Sequence, residues 1–207
     1  MKVFNATSFT GAPAMPAGFV RLRNCNQNFI FDGMTLNEEK LKPYIQKNDL
    51  MFFDLEREYY TPELMELVQS KLDYLGPSRH VFYGVPPRST AQTPSELDAF
   101  VTKFSAVLGR VDAFFPSSYA YEITPEAWGV LLQQAIWNCR KINPSIPVYP
   151  FIRMDFPSEP YGYIGDAYWQ YQLNQCRRYA DGAVIWGGWK EPWDDNAPWW
   201  RILKNYL

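Results

Sequence analysis

One histidine, three cysteines and no long apolar run close off many common routes to chemistry for this 207-residue chain. With His80 alone, no multi-histidine metal site can exist, and a serine or cysteine nucleophile would have to recruit that one ring. His80 opens the apolar run His80-Val81-Phe82-Tyr83, which suits a structural side chain better than a general base. Cys25, Cys139 and Cys176 are odd in number and irregular in spacing, so they describe no disulfide framework. Cys139 and Cys176 fall inside helical patterns and read as small buried thiols. No stretch approaches the roughly 18 apolar residues of a membrane span. The residues after Lys2 do not form the apolar centre of a signal peptide. Asn5-Ala6-Thr7 matches a glycosylation acceptor, which matters only in a secretory compartment. The chain therefore reads as reduced and soluble: cytoplasmic, or secreted if a leader has been removed. Lys and Arg number 20 against 22 Asp and Glu, a net charge of −2, so the basic footprint of a nucleic-acid or anionic-membrane binder is missing. There is no GxGxxG, no phosphate loop and no Cys/His cluster, and no cofactor or metal is expected.

What the chain has is aromatic residues, 17% of the total, and a repeating pattern of elements. From residue 50 onward, short apolar runs alternate with helical stretches. The runs are Leu50–Glu56, His80–Val85, Val111–Phe115, Ile146–Ile152 and Ala183–Trp186. Runs this short and continuously apolar suit parallel strands covered on both faces. Thr61-Pro62, Thr93-Pro94 and Thr124-Pro125 each place a capping Thr before a Pro at the first helical position, and Thr93 with Glu96 has capping-box spacing. Asn143-Pro144 and Asp181-Gly182 are stop signals, and Trp199–Leu203 reads as a terminal helix. Lys2–Ala6 and Phe19–Arg23 add two candidate strands, and Leu36–Gln46 another helix. About seven strands alternating with helices predict an α/β fold in one domain over residues 1–207. Without a glycine-rich loop after any strand, a compact, seven-stranded, TIM-like (β/α) barrel is favoured over an open doubly wound sheet.

In such a barrel the site lies at the C-terminal ends of the strands. Asp54 and Glu56 end the Leu-Met-Phe-Phe run two residues apart, so both carboxylates point to one side. Crowded carboxylates beside an apolar wall raise each other's proton affinity, which keeps one of them available as a general acid. Tyr83, Tyr119, Arg153, Asp155, Trp186 and Trp189 follow or end other runs. Together they describe an aromatic cup with acids, a cation and hydroxyls, a lining suited to sugar rings. Trp193 is a further candidate platform, and Asp194-Asp195 reads as solvated or capping.

These residues resemble the hyaluronidases of glycoside hydrolase family 56. Phe52-Phe53-Asp54-Leu55-Glu56 is similar to that family's catalytic strand, and Phe82-Tyr83-Gly84-Val85-Pro86 to its Tyr-Gly-Phe-Pro segment. Phe115-Pro116-Ser117-Ser118-Tyr119, Ile146-Pro147-Val148 through Arg153, and Val184-Ile185-Trp186-Gly187-Gly188-Trp189 resemble three more of its segments, in the same order. Arg57-Glu58-Tyr59-Tyr60 stands where the family has Trp-Arg-Pro, and the N-terminal part is shortened. The resemblance implies a distorted barrel that cleaves N-acetylhexosamine glycans by a retaining, substrate-assisted reaction. Glu56 would be the acid and then the base, and Asp54 would orient the 2-acetamido group. Tyr83 and Tyr119 would hold that group, and Trp186 would floor the sugar subsite; Arg153, Trp189 and Asp155 complete the binding set. The expected partner is an oligo- or polysaccharide, with neither nucleic acid nor membrane. A peptidoglycan-cleaving muramidase-type enzyme and a non-catalytic glycan-binding barrel are the alternatives.

Overall fold

Nine short strands and eight helices are described in a computed structural model covering residues 1–45, 51–56, 59–75, 80–84, 93–121, 123–157, 162–188 and 191–207. The N-terminal part contains β1 (Lys2–Asn5), β2 (Phe19–Arg21), β3 (Arg23–Asn26), α1 (Gln27–Ile30), the hairpin β4 (Phe31–Asp32) and β5 (Thr35–Leu36), and α2 (Glu38–Ile45). Then come β6 (Met51–Asp54), α3 (Pro62–Leu75), β7 (His80–Phe82), α4 (Pro94–Lys103), α5 (Ser105–Leu108) and α6 (Pro125–Ile142). The chain ends with β8 (Phe151–Arg153), α7 (Asp166–Tyr179), β9 (Gly182–Trp186) and α8 (Pro198–Leu203).

The three Thr-Pro starts behave as their chemistry requires. The Thr61, Thr93 and Thr124 hydroxyls accept from the backbone N–H groups of Leu64, Glu96 and Ala127. The Glu96 carboxylate in turn accepts from the Thr93 N–H at 2.7 Å, completing the capping box. No described helix is long and apolar enough to cross a membrane.

Apart from the β4–β5 hairpin, the strands pair in parallel, in the orders β2-β1-β9-β8 and β3-β6-β7. β2 and β3 are one run of chain interrupted only at Leu22, whose N–H bonds the Asn5 carbonyl. The run thus serves β1 with its first half and β6 with its second. On the other side, residues 114–117 make single bridges, Phe115 to Tyr83, Phe114 to Val148 and Ser117 to Phe151. The sequence predicts full strands at Val111–Phe115 and Ile146–Ile152; only bridges and the three-residue β8 form there. Pro116, Pro147 and Pro150 are the physical reason, because each removes an N–H from the ladder. Their carbonyls still accept, from Phe151, Phe114 and Val184.

Alternate residues of β1, β6, β7, β8 and β9 feed two separate cores. Val3, Met51, Phe53, Phe82, Phe114, Ile152 and Ile185 pack beneath the helices with Trp128, Trp169 and Leu173. Phe4, Phe52, Val81, Phe115, Phe151 and Val184 make a second cluster, capped by Tyr83 and Trp186. Aromatic rings dominate this second cluster: Phe151 packs within 5.5 Å, ring centre to ring centre, of Phe52, Tyr83 and Phe115. Cys25, Cys139 and Cys176 are all buried free thiols. Burial pushes the Cys25 thiol up to about 12, so it carries no charge at neutral pH.

Candidate active site

Above the second aromatic cluster, at the C-terminal ends of the strands, lies a cleft of ≈590 Å³. Its floor is Phe52 and Phe151, and Trp186 stands edge-on to Phe52 at 6.2 Å. Asp54 and Glu56 both line it, as their two-residue spacing predicts. Asp54 is the last residue of β6 and half-buried, whereas Glu56 lies beyond the strand and is exposed. Burial holds the Asp54 carboxyl up at about 6; the Glu56 charge pushes the same way, and a hydrogen bond from the Asn26 side chain pulls against both. Asp54 Oδ1 is buried and has no hydrogen-bond partner among the described residues.

Tyr83 and Tyr119 form the facing wall, their rings stacked at 6.2 Å. The Tyr83 hydroxyl donates to Ser117 Oγ at 2.9 Å. Burial raises both phenols, so both keep their protons at neutral pH. The loop that carries Ser117 and Tyr119 is pinned from below: the indole N–H of Trp128, on α6, donates to the Ser118 carbonyl at 2.8 Å.

Arg153, at the end of β8, is 5% exposed and lies over the Tyr119 ring at 5.6 Å. Its Nε donates to Asp155 Oδ1 at 2.7 Å. Asp155 is thus joined to the site through Arg153 and is not among the residues that line the cleft. Trp189, like Val85 and Pro86 of the Tyr-Gly segment, falls outside the described residues. Trp193 does not line the cleft. It packs on Phe9, Trp199 and Trp200 at 5.1–5.6 Å, and its N–H bonds Asp195.

One wall of the cleft is built from residues outside the predicted set. Asn24, Asn26 and Asn28 line the cleft on the side of β3. Asn24 lies in register with Phe52, and Asn26 with Asp54. The signal was present: Asn-Cys-Asn-Gln-Asn places three amides at alternate positions, all on one face if the run is extended. The predicted strand ends at Arg23, whereas β3 continues to Asn26. Phe29, 54% exposed, and Ser8 complete the rim.

No protein-family model and no curated protein matches the chain. Solved structures do. Bee venom hyaluronidase in a monoclinic crystal aligns with a TM-score of 0.62 at 13% identity, over 84% of this chain and 73% of that one. Bee venom hyaluronidase in complex with a hyaluronic acid tetramer aligns with a TM-score of 0.57 at 13% identity, over 86% and 75%. The endo-beta-1,4-mannanase from Thermotoga petrophila aligns with a TM-score of 0.50 at 15% identity, over 91% of this chain and 57% of that one. At these identities the likeness is one of fold: parallel α/β architecture shared with barrel glycosidases.

Proposed function

We propose that this protein is a glycoside hydrolase that cleaves N-acetylhexosamine-containing glycans by a retaining, substrate-assisted reaction at Asp54 and Glu56. One observation carries the reading: two carboxylates from one strand end share an aromatic cleft, and the inner one presents a buried acceptor oxygen with no partner among the described residues. A lone buried acceptor costs about 1–3 kcal/mol, and an arriving N–H removes that cost. The 2-acetamido group of a bound sugar brings such an N–H. The same reading takes residues 1–207 as one domain, a distorted seven-stranded barrel. The run from Phe19 to Asn26 and the bridges at 114–117 join its two sheets.

In the free protein, burial and the Glu56 charge hold the Asp54 carboxyl up at about 6. A substrate N–H bonded to Asp54 favours its ionised form, and the proton for the leaving group comes from Glu56. Glu56 then gives that proton to the glycosidic oxygen as the bond to the anomeric carbon breaks. The acetamido carbonyl oxygen closes onto that carbon, and Asp54 stabilises the positive charge developing on the ring so formed. Glu56, now a carboxylate, takes a proton from water as the water oxygen attacks the anomeric carbon from the side the leaving group vacated and the bond to the acetamido oxygen breaks, restoring the acetamide. Two inversions give net retention, without the enzyme nucleophile that most retaining glycosidases use. Tyr83 and Tyr119 flank the acetamido methyl and carbonyl, Trp186 floors the sugar, and Arg153 with its partner Asp155 fixes the Tyr119 ring. Trp189, two residues after Gly187, belongs to the same proposed binding set.

The test is the release of new reducing ends from hyaluronan, chondroitin, chitin oligomers and peptidoglycan. The wild type is expected to release them from one of the N-acetylhexosamine glycans. Glu56→Gln is expected to lose about 10²–10⁴-fold in kcat while remaining folded. Glycan binding without product from the wild type would instead identify a non-catalytic binding barrel, and undiminished turnover by Glu56→Gln would remove its assigned role.

A further inference from the structure

Asn26 belongs to two arrangements at once. It closes β3 opposite Asp54, and it is the N-cap of α1. Its Oδ1 accepts from the backbone N–H of Asn28 at 3.0 Å. An amide has one oxygen and one NH₂, so an oxygen committed to the cap leaves the NH₂ for the next strand. What stands there is the Asp54 carboxyl, in register with Asn26 on the neighbouring strand and lining the same cleft, and the Asn26 side chain lowers its proton affinity. A flipped amide would set NH₂ against an N–H and oxygen against a carboxylate, so the cap fixes the polarity. Asn28, Asn26 and Asp54 all line the cleft.

We infer that Asn26 is a positioning residue, whose cap-locked amide holds the Asp54 carboxyl so that Oδ1 is left for the substrate. The inference rests on the glycoside hydrolase reading, because it gives Asp54 its task. It adds a part that the acid pair alone does not contain. Around the Asp54 carboxyl stand Glu56 from the same segment, Tyr83 from the end of β7, Tyr119 from the loop pinned by α6, and Arg153 from β8. Burial and Glu56 favour the protonated form, and the Asn26 donor favours the ionised one. Loss of that donor lets Asp54 keep its proton to higher pH, and it frees the carboxyl to turn.

Asn26→Ser and Asn26→Asp separate the two duties of the amide. Ser and Asp cap helices about as well as Asn, so both variants keep the acceptor for Asn28, and both lose the amide donor. The first measurement follows the Asp54 carboxyl carbon by NMR titration in the whole protein without substrate. The midpoint is expected to rise by about half a pH unit or more in both variants. The second measurement is kcat and KM against pH on the cleaved glycan. A fall in kcat of about tenfold or more is expected, with KM changed little and the acidic limb moved to higher pH. An unmoved or lowered Asp54 midpoint in folded Asn26→Ser overturns the inference, as does a raised midpoint with unchanged kcat. A rise in Asn26→Asp alone also overturns it, since the new carboxylate would then be the cause. If the wild type cleaves no glycan, the hydrolase reading fails, while the NMR titration still decides whether Asn26 governs Asp54.

Discussion

Asp54 is held in a state that stability alone would not select. Its carboxyl titrates at about 6 where an unburied one titrates at 3.8. The folded state binds this proton more tightly than the unfolded state does. Its stabilising contribution is therefore complete below about pH 4 and is lost as pH rises through about 6. The ionised form costs the fold about 2–3 kcal/mol, after allowance for the part of the side chain that reaches solvent. Asp54→Asn is expected to be more stable than the wild type by about that amount at pH 8 and equal to it near pH 3.5, with activity lost. Denaturant melts at the two pH values check this, and an equal advantage at both would remove the titration as its cause. The acid pair was legible in the sequence because period-two alternation needs no tertiary information. Asn26 was not, because its effect depends on which strand lies beside β6.

At the scale of elements, the helix starts follow from local chemistry. Thr at the cap and Pro at the next position suffice, and the hydroxyl-to-N–H bonds form where the sequence places them. Strand ends are less local. β9 begins at Gly182, in register with Lys2 of β1. A Cβ added at Gly182 would lie 2.1 Å from the Lys2 carbonyl oxygen, a backbone atom that cannot move without breaking the pairing. Gly182→Ala is expected to destabilise by about 3 kcal/mol or more. Gly109 caps α5 at φ −75°, and an added Cβ meets nothing nearer than the Ser105 carbonyl oxygen at 3.7 Å. Gly109→Ala is expected to be neutral or to stabilise by up to ~1 kcal/mol. Thermal melts of the two variants side by side test whether close approach, rather than glycine as such, sets the cost. The sequence marked Asp181-Gly182 only as a helix stop; the strand contact belongs to residues about 180 positions away.

At the scale of the whole molecule, aromatic residues divide between a packed interior and a usable rim. Phe115 is fully buried in the cluster beneath the cleft, whereas Trp137 on the outside of α6 is 53% exposed. Phe115→Ala is expected to cost about 3–5 kcal/mol and to disorder the cleft floor. Trp137→Ala is expected to change stability by no more than about 0.5 kcal/mol. Chemical unfolding checks both, and comparable costs would show that burial does not set the cost of losing an aromatic ring. The amino-acid sequence by itself determined the α/β class, the helix starts, and the pairing of Asp54 with Glu56 on one face, because each rests on interactions within a few residues. It also carried the cleft aromatics Tyr83, Tyr119 and Trp186, since all lie just past apolar runs. Only the tertiary structure decided which strands meet, where proline carbonyls stand in for a regular ladder, and how far burial raises Asp54. Only it placed the asparagine wall of β3 across from the acids. Parallel neighbours are joined by crossovers or lie far apart in the chain, so their register is fixed by packing of side chains distant in sequence, which no local pattern records.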